Sequence, residues 1–173
     1  SINNSKTDII KIVKTIRKHN LSPLEEIMYA YDLVREKVYT RELDTESDRI
    51  SRDLSSVLFG DKIVCAGYVA IFNSVLKNLG ISVMDYKLIK KENNKKGHVR
   101  SLVYVKDKKY HVNGVFMFDP TWDSKKCEGD KSYLRSYKFF CKSKDEFRFF
   151  DQEYNDVTLS SYSKNLSPRV KKI

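Results

Sequence analysis

The sequence contains no apolar run that approaches the roughly 18 residues needed to cross a bilayer, so no membrane span is predicted. It has only three cysteines, Cys65, Cys127 and Cys141, and none belongs to a CxxC pair. This odd, widely spaced set argues against a disulfide framework and gives little support to a zinc site with His98 or His111. A free thiol remains under any pairing, which favours a reducing compartment such as the cytoplasm.

A secretory signal is also missing from the start of the sequence, which begins at Ser1 rather than at methionine. We expect from this start that the sequence is trimmed, and the preceding part could have held a targeting segment. Extensive disorder is excluded because 40% of the 173 residues are hydrophobic and 12% are aromatic. This length can bury a full core, and we expect a single domain covering residues 1–173.

Positive charge is abundant, with a formal net charge of +10 and an isoelectric point near 9.4. A basic protein of this kind could bind nucleic acid. The lysines are dispersed through turn-like segments, however, and no basic stripe interleaved with aromatic residues is present. The pattern therefore favours a solvated lysine-rich surface over a nucleic-acid-binding domain, and it leaves an acidic partner open.

The order of hydrophobic periods predicts helices followed by an antiparallel sheet, which is an α+β domain. The segment "LSPLEEIMYAYDLVREKV" opens a helix with Ser22 as N-cap, Pro23 at the first position and Glu25 closing a capping box. Residues 40–60 are predicted to form a loop and a short helix. The period then changes from about 3.6 to 2 after Gly80. Strands are predicted around "MDYKL", "HVRSLVYV" and "KYHVNGVFMFD", and a short helix around "SKDEFRFFDQEY".

Cys65 lies where an apolar extended run meets a helix. Val69, Phe72 and Leu76 recur after it at helical spacing, and Gly80 ends the helix. A thiol in the first turn of a helix lies near unpaired N–H groups and the positive end of the helix dipole. Both lower its pKa and favour the reactive thiolate. The alternative is a small buried hydrophobic residue without a catalytic role.

His98 and Asp119 are predicted to meet across a hairpin. A tight turn near Asp107 and Lys108 would bring His98 opposite residue 117, and a bulge at residues 113–114 would move it toward Asp119. A nucleophilic cysteine needs a base, and the base needs a group that orients it, so this spacing permits a Cys–His–Asp arrangement. Each residue alone has a simpler explanation, an exposed strand end for His98 and an ordinary turn residue for Asp119.

Three stretches, "VCAGYVAIFNSVLKNLGI", "GHVRSLVYV" and "KYHVNGVFMFDPTWD", together resemble the core of the transglutaminase-like superfamily of papain-type cysteine enzymes. The resemblance covers about residues 22–123, and an aromatic and charged extension follows. It implies a papain-like α+β core, with N-terminal helices and a cysteine-bearing helix packed on an antiparallel sheet. It further implies Cys65 as nucleophile, His98 as general base and acid, and Asp119 as the residue that orients His98.

The resemblance also bears on residues around this triad. Trp122 would pack near the triad, although a lone tryptophan after a turn also suits an ordinary core. Arg100 stands where the family often has a tryptophan, which implies a more open site or a preference for an acidic substrate group. The papain-type glutamine is missing, since Gln152 is the only glutamine. The Cys65 backbone N–H would be one oxyanion donor, and Tyr39 is a candidate for the second.

The implied chemistry is acyl transfer, in which a thiolate attacks an amide or thioester carbonyl and water or an amine resolves the acyl-enzyme. Hydrolysis of protein or peptide amides is the default because water is always present, and amine crosslinking is the alternative. No metal or cofactor is implied, and the expected partner is a protein or peptide substrate. Two other functions stay open: a catalytically silent transglutaminase-like binding module, and a basic nucleic-acid-binding domain.

Overall fold

Helices come first along the chain and a mainly antiparallel sheet follows, so the protein has an α+β fold. A computed structural model describes residues 2–36, 38–39, 62–63, 65–124 and 137–156. The helices are α1 (Ile2–Lys18), α2 (Pro23–Arg35), α3 (Cys65–Asn78) and α4 (Lys144–Phe147). The strands are β1 (Val38–Tyr39), β2 (Lys62–Ile63), β3 (Val83–Lys90), β4 (Lys96–Asp107), β5 (Val112–Phe118) and β6 (Tyr154–Asp156). The loop and short helix predicted for residues 40–60 lie outside the described residues.

The main sheet has the strand order β5-β4-β3-β6, and all its neighbouring strands are antiparallel. Strands β1 and β2 form a separate parallel pair. Helix α3 packs against β3 and β4, while α1 and α2 pack against α3. This arrangement confirms the predicted architecture of N-terminal helices and a cysteine-bearing helix packed on an antiparallel sheet. None of the helices in the described ranges is long and apolar enough to cross a membrane.

Helix α3 is buried on most of its surface because the other helices cover one side and the sheet covers the other. Its buried apolar side chains are Tyr68, Val69, Ile71, Phe72, Val75 and Leu76. Burying one side chain of this size contributes about 1.5–3 kcal/mol relative to leaving it exposed. Burial of these side chains therefore contributes most of what holds the helix that begins at Cys65 in place.

Asn73 adds a polar connection between α3 and the sheet. Its side-chain amide donates to Asp85 Oδ1 at 2.9 Å, and the Ser101 hydroxyl donates to Asn73 Oδ1 at 2.6 Å. Asn73 and Ser101 are both buried, and a buried polar group left without its partner costs about 1–3 kcal/mol. These contacts fix the rotation of α3 about its axis relative to β3 and β4, and β4 also carries His98.

The tip of the β4–β5 hairpin is bound to the start of α2. The Asp107 carboxylate accepts the Leu24 N–H at 2.7 Å and the Tyr110 N–H at 3.2 Å. Glu25 Oε2 accepts the Tyr110 hydroxyl at 2.6 Å and the Lys109 ammonium at 2.9 Å. Two carboxylates thus join the helix N-terminus, where unpaired N–H groups need acceptors, to the turn of the hairpin.

The Glu25 contacts make the stability of the chain depend on pH. Hydrogen bonds from Tyr110, Lys109 and the Ser22 N–H lower the pKa of Glu25 from 4.5 to about 2. A carboxylate with a lowered pKa stabilises the fold fully above its ordinary pKa, and this contribution is lost as the pH falls toward its folded value. We therefore expect Glu25→Gln to destabilise the chain at neutral pH, and the difference from the parent to shrink between pH 4.5 and about 2.

Urea unfolding of both proteins at about pH 7 and pH 2.5 measures this difference. Glu26 gives a matched control on the same turn, because burial raises its pKa and its charge therefore does not stabilise the fold. Glu26→Gln should not show a loss of stability at neutral pH that disappears in acid. A Glu25→Gln difference that stays constant with pH would contradict the expectation.

The register of the β4–β5 hairpin differs from the prediction. Pairing runs without a break from Asp107↔Val112 to Ser101↔Phe118, so the turn occupies residues 108–111. The tight turn predicted near Asp107 and Lys108 is wrong, and so is the bulge at residues 113–114. His111 lies in the turn with a φ of 55°, before β5 begins. The longer turn forms because the Asp107 side chain accepts the Tyr110 N–H within it.

A register shift occurs instead on the other side of β4, at Gly97. Leu88 pairs with His98, but the next residue of β3, Ile89, pairs with Lys96, so Gly97 has no partner in this register. A β-carbon at Gly97 would lie 2.5 Å from the Tyr154 ring, so a larger residue there would displace Tyr154. Bulges of this kind re-aim the neighbouring side chain, which here is His98.

Candidate active site

The structure brings His98 and Asp119 together in the interior. His98 Nε2 lies 2.6 Å from Asp119 Oδ2, and the two residues are 4% and 0% exposed. Ser101↔Phe118 is the last β4–β5 pair, so Asp119 follows directly beside Arg100. Because side chains alternate along a strand, His98 and Arg100 lie on the same face of β4. One carboxylate oxygen can therefore reach both.

Hydrogen bonds to its side chain, its carbonyl and its N–H hold Asp119 in place. Its second oxygen, Oδ1, accepts the Trp122 N–H at 3.1 Å. Its carbonyl accepts the Tyr31 hydroxyl at 3.0 Å, and its N–H donates to the Phe139 carbonyl at 2.8 Å. These contacts come from α2, from the turn after β5 and from the segment before α4. They fix the carboxylate that faces His98.

The electrostatics keep Asp119 ionised. Burial alone would raise the pKa of Asp119, but the charge and hydrogen bond of His98 and the charge of Arg100 outweigh it, so the pKa lies below its ordinary value. An ionised carboxylate can only accept, so His98 Nε2 carries the proton in this contact. In the neutral ring, Nδ1 is then the nitrogen that can accept a proton.

Trp122 covers the imidazole. Its ring is stacked on His98, with the centroids 4.6 Å apart and the planes 7° from parallel. The Phe139 and Phe147 rings lie 5.3 Å and 6.4 Å from the Trp122 ring. The structure thus places Trp122 against His98, and the indole restricts water around the His98–Asp119 contact.

Arg100 is fully buried, and its guanidinium donates hydrogen bonds to carboxylates on both sides. Its Nε donates to Asp119 Oδ2 at 3.0 Å, and its two terminal nitrogens donate to the two Asp151 oxygens at 2.8 Å each. Burial opposes the charge, but the contacts with Asp151 and Asp119 outweigh it and raise the pKa of Arg100. The guanidinium carbon also lies 3.9 Å from the centre of the Phe147 ring.

This geometry contradicts the expectation that Arg100 opens the site or meets an acidic substrate group. A buried guanidinium needs counter-charges within the protein, and Asp119 and Asp151 supply them. Sequence reasoning missed Asp151 and Phe147, which both lie in the C-terminal extension. The signal that could have found them is an arginine at an interior strand position, because it demands a carboxylate elsewhere in the chain.

The remaining predicted residues are described by their backbone alone. Helix α3 begins at Cys65, and β2, which pairs with Tyr39, ends two residues before it. The side chains of Cys65 and Tyr39, and all of Cys127, lie outside the described part of the chain. Cys141 is buried, and this burial raises its pKa to about 12. Within the described residues, no cluster of His, Cys, Asp or Glu side chains is suited to hold a metal ion.

Comparison with known proteins gives the fold. No protein-family model and no curated protein sequence matches the chain. A crystal structure of a transglutaminase (TGase) matches over 80% of the chain, with 15% identity and a TM-score of 0.54. A candidate cysteine protease from Cytophaga hutchinsonii matches over 65%, with 12% identity and a TM-score of 0.43. The chain spans 37% of the length of each. The match to the transglutaminase structure shows that the chain has a transglutaminase-like fold, as the sequence resemblance predicted.

Proposed function

We propose that the chain is a transglutaminase-like cysteine enzyme that acts by acyl transfer on protein or peptide amides. The observation that carries this proposal is the buried contact of 2.6 Å between His98 Nε2 and Asp119 Oδ2. The contact lies on β4 of a sheet that packs against the helix beginning at Cys65. In the proposal, Cys65 is the nucleophile, His98 is the base and acid, and Asp119 orients His98.

The reaction begins when His98 Nδ1 accepts the thiol proton of Cys65. Asp119 stabilises the resulting imidazolium through Nε2, and the thiolate attacks the substrate carbonyl to form a tetrahedral oxyanion. The Cys65 N–H donates to this oxyanion, and Tyr39 is the candidate for a second donor. As the intermediate collapses, Nδ1 returns its proton to the leaving amine, and an acyl-enzyme remains.

Water then attacks the acyl-enzyme while His98 accepts one of its protons. Collapse of the second tetrahedral intermediate releases the carboxylic acid and restores the Cys65 thiol. If a primary amine attacks in place of water, the product is a new amide, and the enzyme crosslinks its substrates rather than hydrolysing them. Trp122 supports both steps, because the hydrogen bond between His98 and Asp119 is stronger when water is excluded.

Alkylation of the thiols tests the proposal. An ordinary thiol, with a pKa of about 8.5, is almost fully protonated at about pH 6, whereas a thiolate paired with an imidazolium stays reactive there. We expect iodoacetamide to modify Cys65 at pH 6 at least about 10 times faster than N-acetylcysteine, as read by peptide mass spectrometry. Buried Cys141 should stay unmodified, because burial raises its pKa to about 12.

His98→Ala should remove this reactivity at pH 6, whereas His19→Ala should not. His19 is an exposed histidine whose Nδ1 donates to the Thr15 carbonyl at 2.9 Å, far along the chain from the sheet. If Cys65 reacts at pH 6 no faster than N-acetylcysteine, the catalytic proposal fails. The chain would then be a binding module that has the same fold.

A further inference from the structure

Asp119 Oδ2 is shared by two donors of different character. His98 Nε2 lies 2.6 Å from it and Arg100 Nε lies 3.0 Å from it. Arg100 is always positively charged, whereas His98 is positively charged only when both of its ring nitrogens are protonated. The positive charge of Arg100 therefore offsets part of the negative charge of Asp119, and the His98 imidazolium is stabilised less than it would be without Arg100.

Asp151 opposes this withdrawal. Its carboxylate meets the far side of the same guanidinium through two parallel hydrogen bonds of 2.8 Å. Charges alternate along this row, from the buried residues His98, Asp119 and Arg100 to Asp151, whose side chain is 16% exposed. Because the effective dielectric constant within a protein is far below that of water, the charge of Asp151 acts on the charge of His98.

We propose that Asp151 is a positioning residue for His98, which acts through Arg100 to set the negative charge on Asp119 and so the basicity of the imidazole. The catalytic meaning of this coupling rests on the proposed function. The coupling itself is a property of the folded chain, and it can be measured without turnover.

Other charged groups near Asp119 reach it less directly. The Tyr31 hydroxyl donates to the Asp119 carbonyl and to the Asp123 carboxylate, so neither Tyr31 nor Asp123 bonds the Asp119 carboxylate. Arg35 of α2 lies 3.0 Å from Asp32 Oδ1. Within the described residues, Arg100 is thus the charged group besides His98 that hydrogen-bonds the Asp119 carboxylate, and Asp151 is its counter-charge.

A purely structural role for Asp151 predicts a different result. If Asp151 only tethers the turn after α4 to the sheet, its replacement would loosen that turn and leave the titration of His98 unchanged. If its charge acts on His98, loss of that charge must make the imidazolium less stable, because the Arg100 charge is then only partly balanced. The titration of His98 separates the two.

The experiment follows the ring resonances of His98 by NMR in the 173-residue chain carrying Cys65→Ala, in which the Cys65 thiol is absent and cannot titrate against the ring. Stacking on Trp122 identifies His98 by its ring-current shift, and His19 and His111 serve as internal references. We expect Asp151→Asn to move the His98 midpoint to lower pH by about one unit, the effect of a unit charge one side chain away at an effective dielectric constant of about 20.

Two further variants separate charge from shape. Asp151→Glu keeps the charge, so the His98 midpoint should return close to that of the parent. Asp145→Asn is the matched control, since Asp145 makes an exposed pair of 2.6 Å with Arg148 on the neighbouring helical turn, and its loss should move nothing. An unmoved His98 midpoint in folded Asp151→Asn overturns the proposal, and so does an equal shift in Asp151→Asn and Asp151→Glu.

If Asp151→Asn does not fold, Asp151→Ser removes the same charge with a smaller side chain. The His98 midpoint of folded Asp151→Ser should also move to lower pH by about one unit. An unmoved His98 midpoint in that variant contradicts the coupling.

Failure of this proposal and failure of the proposed function are distinguishable. A shifted His98 midpoint together with an unreactive Cys65 supports the coupling between Asp151 and His98 and contradicts the proposed enzymatic function. A Cys65 that reacts at pH 6 together with an unmoved His98 midpoint supports the enzyme and overturns the coupling.

Discussion

Cys65→Ala should abolish acyl-enzyme formation while the chain stays folded. Without the thiol no covalent intermediate can form, whereas a small side chain at the first position of a helix is well tolerated. The described core packing of α3 comes from residues further along the helix, from Tyr68 to Leu76, and the substitution keeps all of them. We expect His98→Ala to be almost as damaging, because the members of such a triad act as a unit.

The measurement is turnover of a peptide-amide library, scored both for hydrolysis and for incorporation of a primary amine. Mass spectrometry of the trapped acyl-enzyme shows which thiol carries the acyl group. Cys141→Ala is the matched control, since it also removes a thiol but from a buried position in the core cluster, and it should keep its activity. Full turnover in Cys65→Ala would exclude the proposed mechanism.

Asp119→Asn should lower turnover by about 10⁴-fold, which is the cost of the corresponding change in serine triads. An amide in place of the carboxylate can hold the imidazole in the wrong tautomer, and it carries no charge to stabilise the imidazolium. The same change also weakens the contact with Arg100, so we expect a loss of stability of about 1–3 kcal/mol. Activity must therefore be expressed per folded molecule.

Asp123→Asn is the control for that stability loss. Asp123 lies in the same turn and is buried, and its carboxylate accepts the Phe139 N–H at 3.0 Å, but its hydrogen bonds go to Tyr31 and Phe139 rather than to His98. Its replacement should destabilise the chain and reduce turnover less than about 10-fold per folded molecule. Equal losses of turnover in the two variants would show that Asp119 acts only through stability, and would remove its catalytic role.

Local chemistry was enough to predict most of the fold. The helix start at Ser22 and Pro23 appears where the sequence indicates it, and so does the change of period after Gly80. The hairpin register could not be read in the same way. It depends on Asp107, whose carboxylate binds the Leu24 N–H of a distant helix, and a pattern of strand residues does not contain that contact.

The candidate site could be predicted only in part, because it too depends on contacts between residues that are distant in the sequence. His98 and Asp119 stand at the ends of neighbouring strands, and their meeting survives the error in register because a carboxylate just beyond a strand end can reach two residues of its neighbour. The role of Arg100 was misjudged because its partner, Asp151, lies 51 positions further along the chain. No local signal connects a strand arginine to a carboxylate after a distant four-residue helix.

The pairing of Arg100 with Asp151 has a consequence for the order in which the chain is synthesised. Cys65, His98 and Asp119 all leave the ribosome before Asp151 does. Until then, folding would bury an arginine without its second carboxylate, and an unbalanced buried pair costs about 3–5 kcal/mol, a large share of the stability of an ordinary domain. Under the proposed function, reactivity at Cys65 would therefore be delayed until the segment that supports His98 has been made, and the nascent chain would be protected from its own nucleophile.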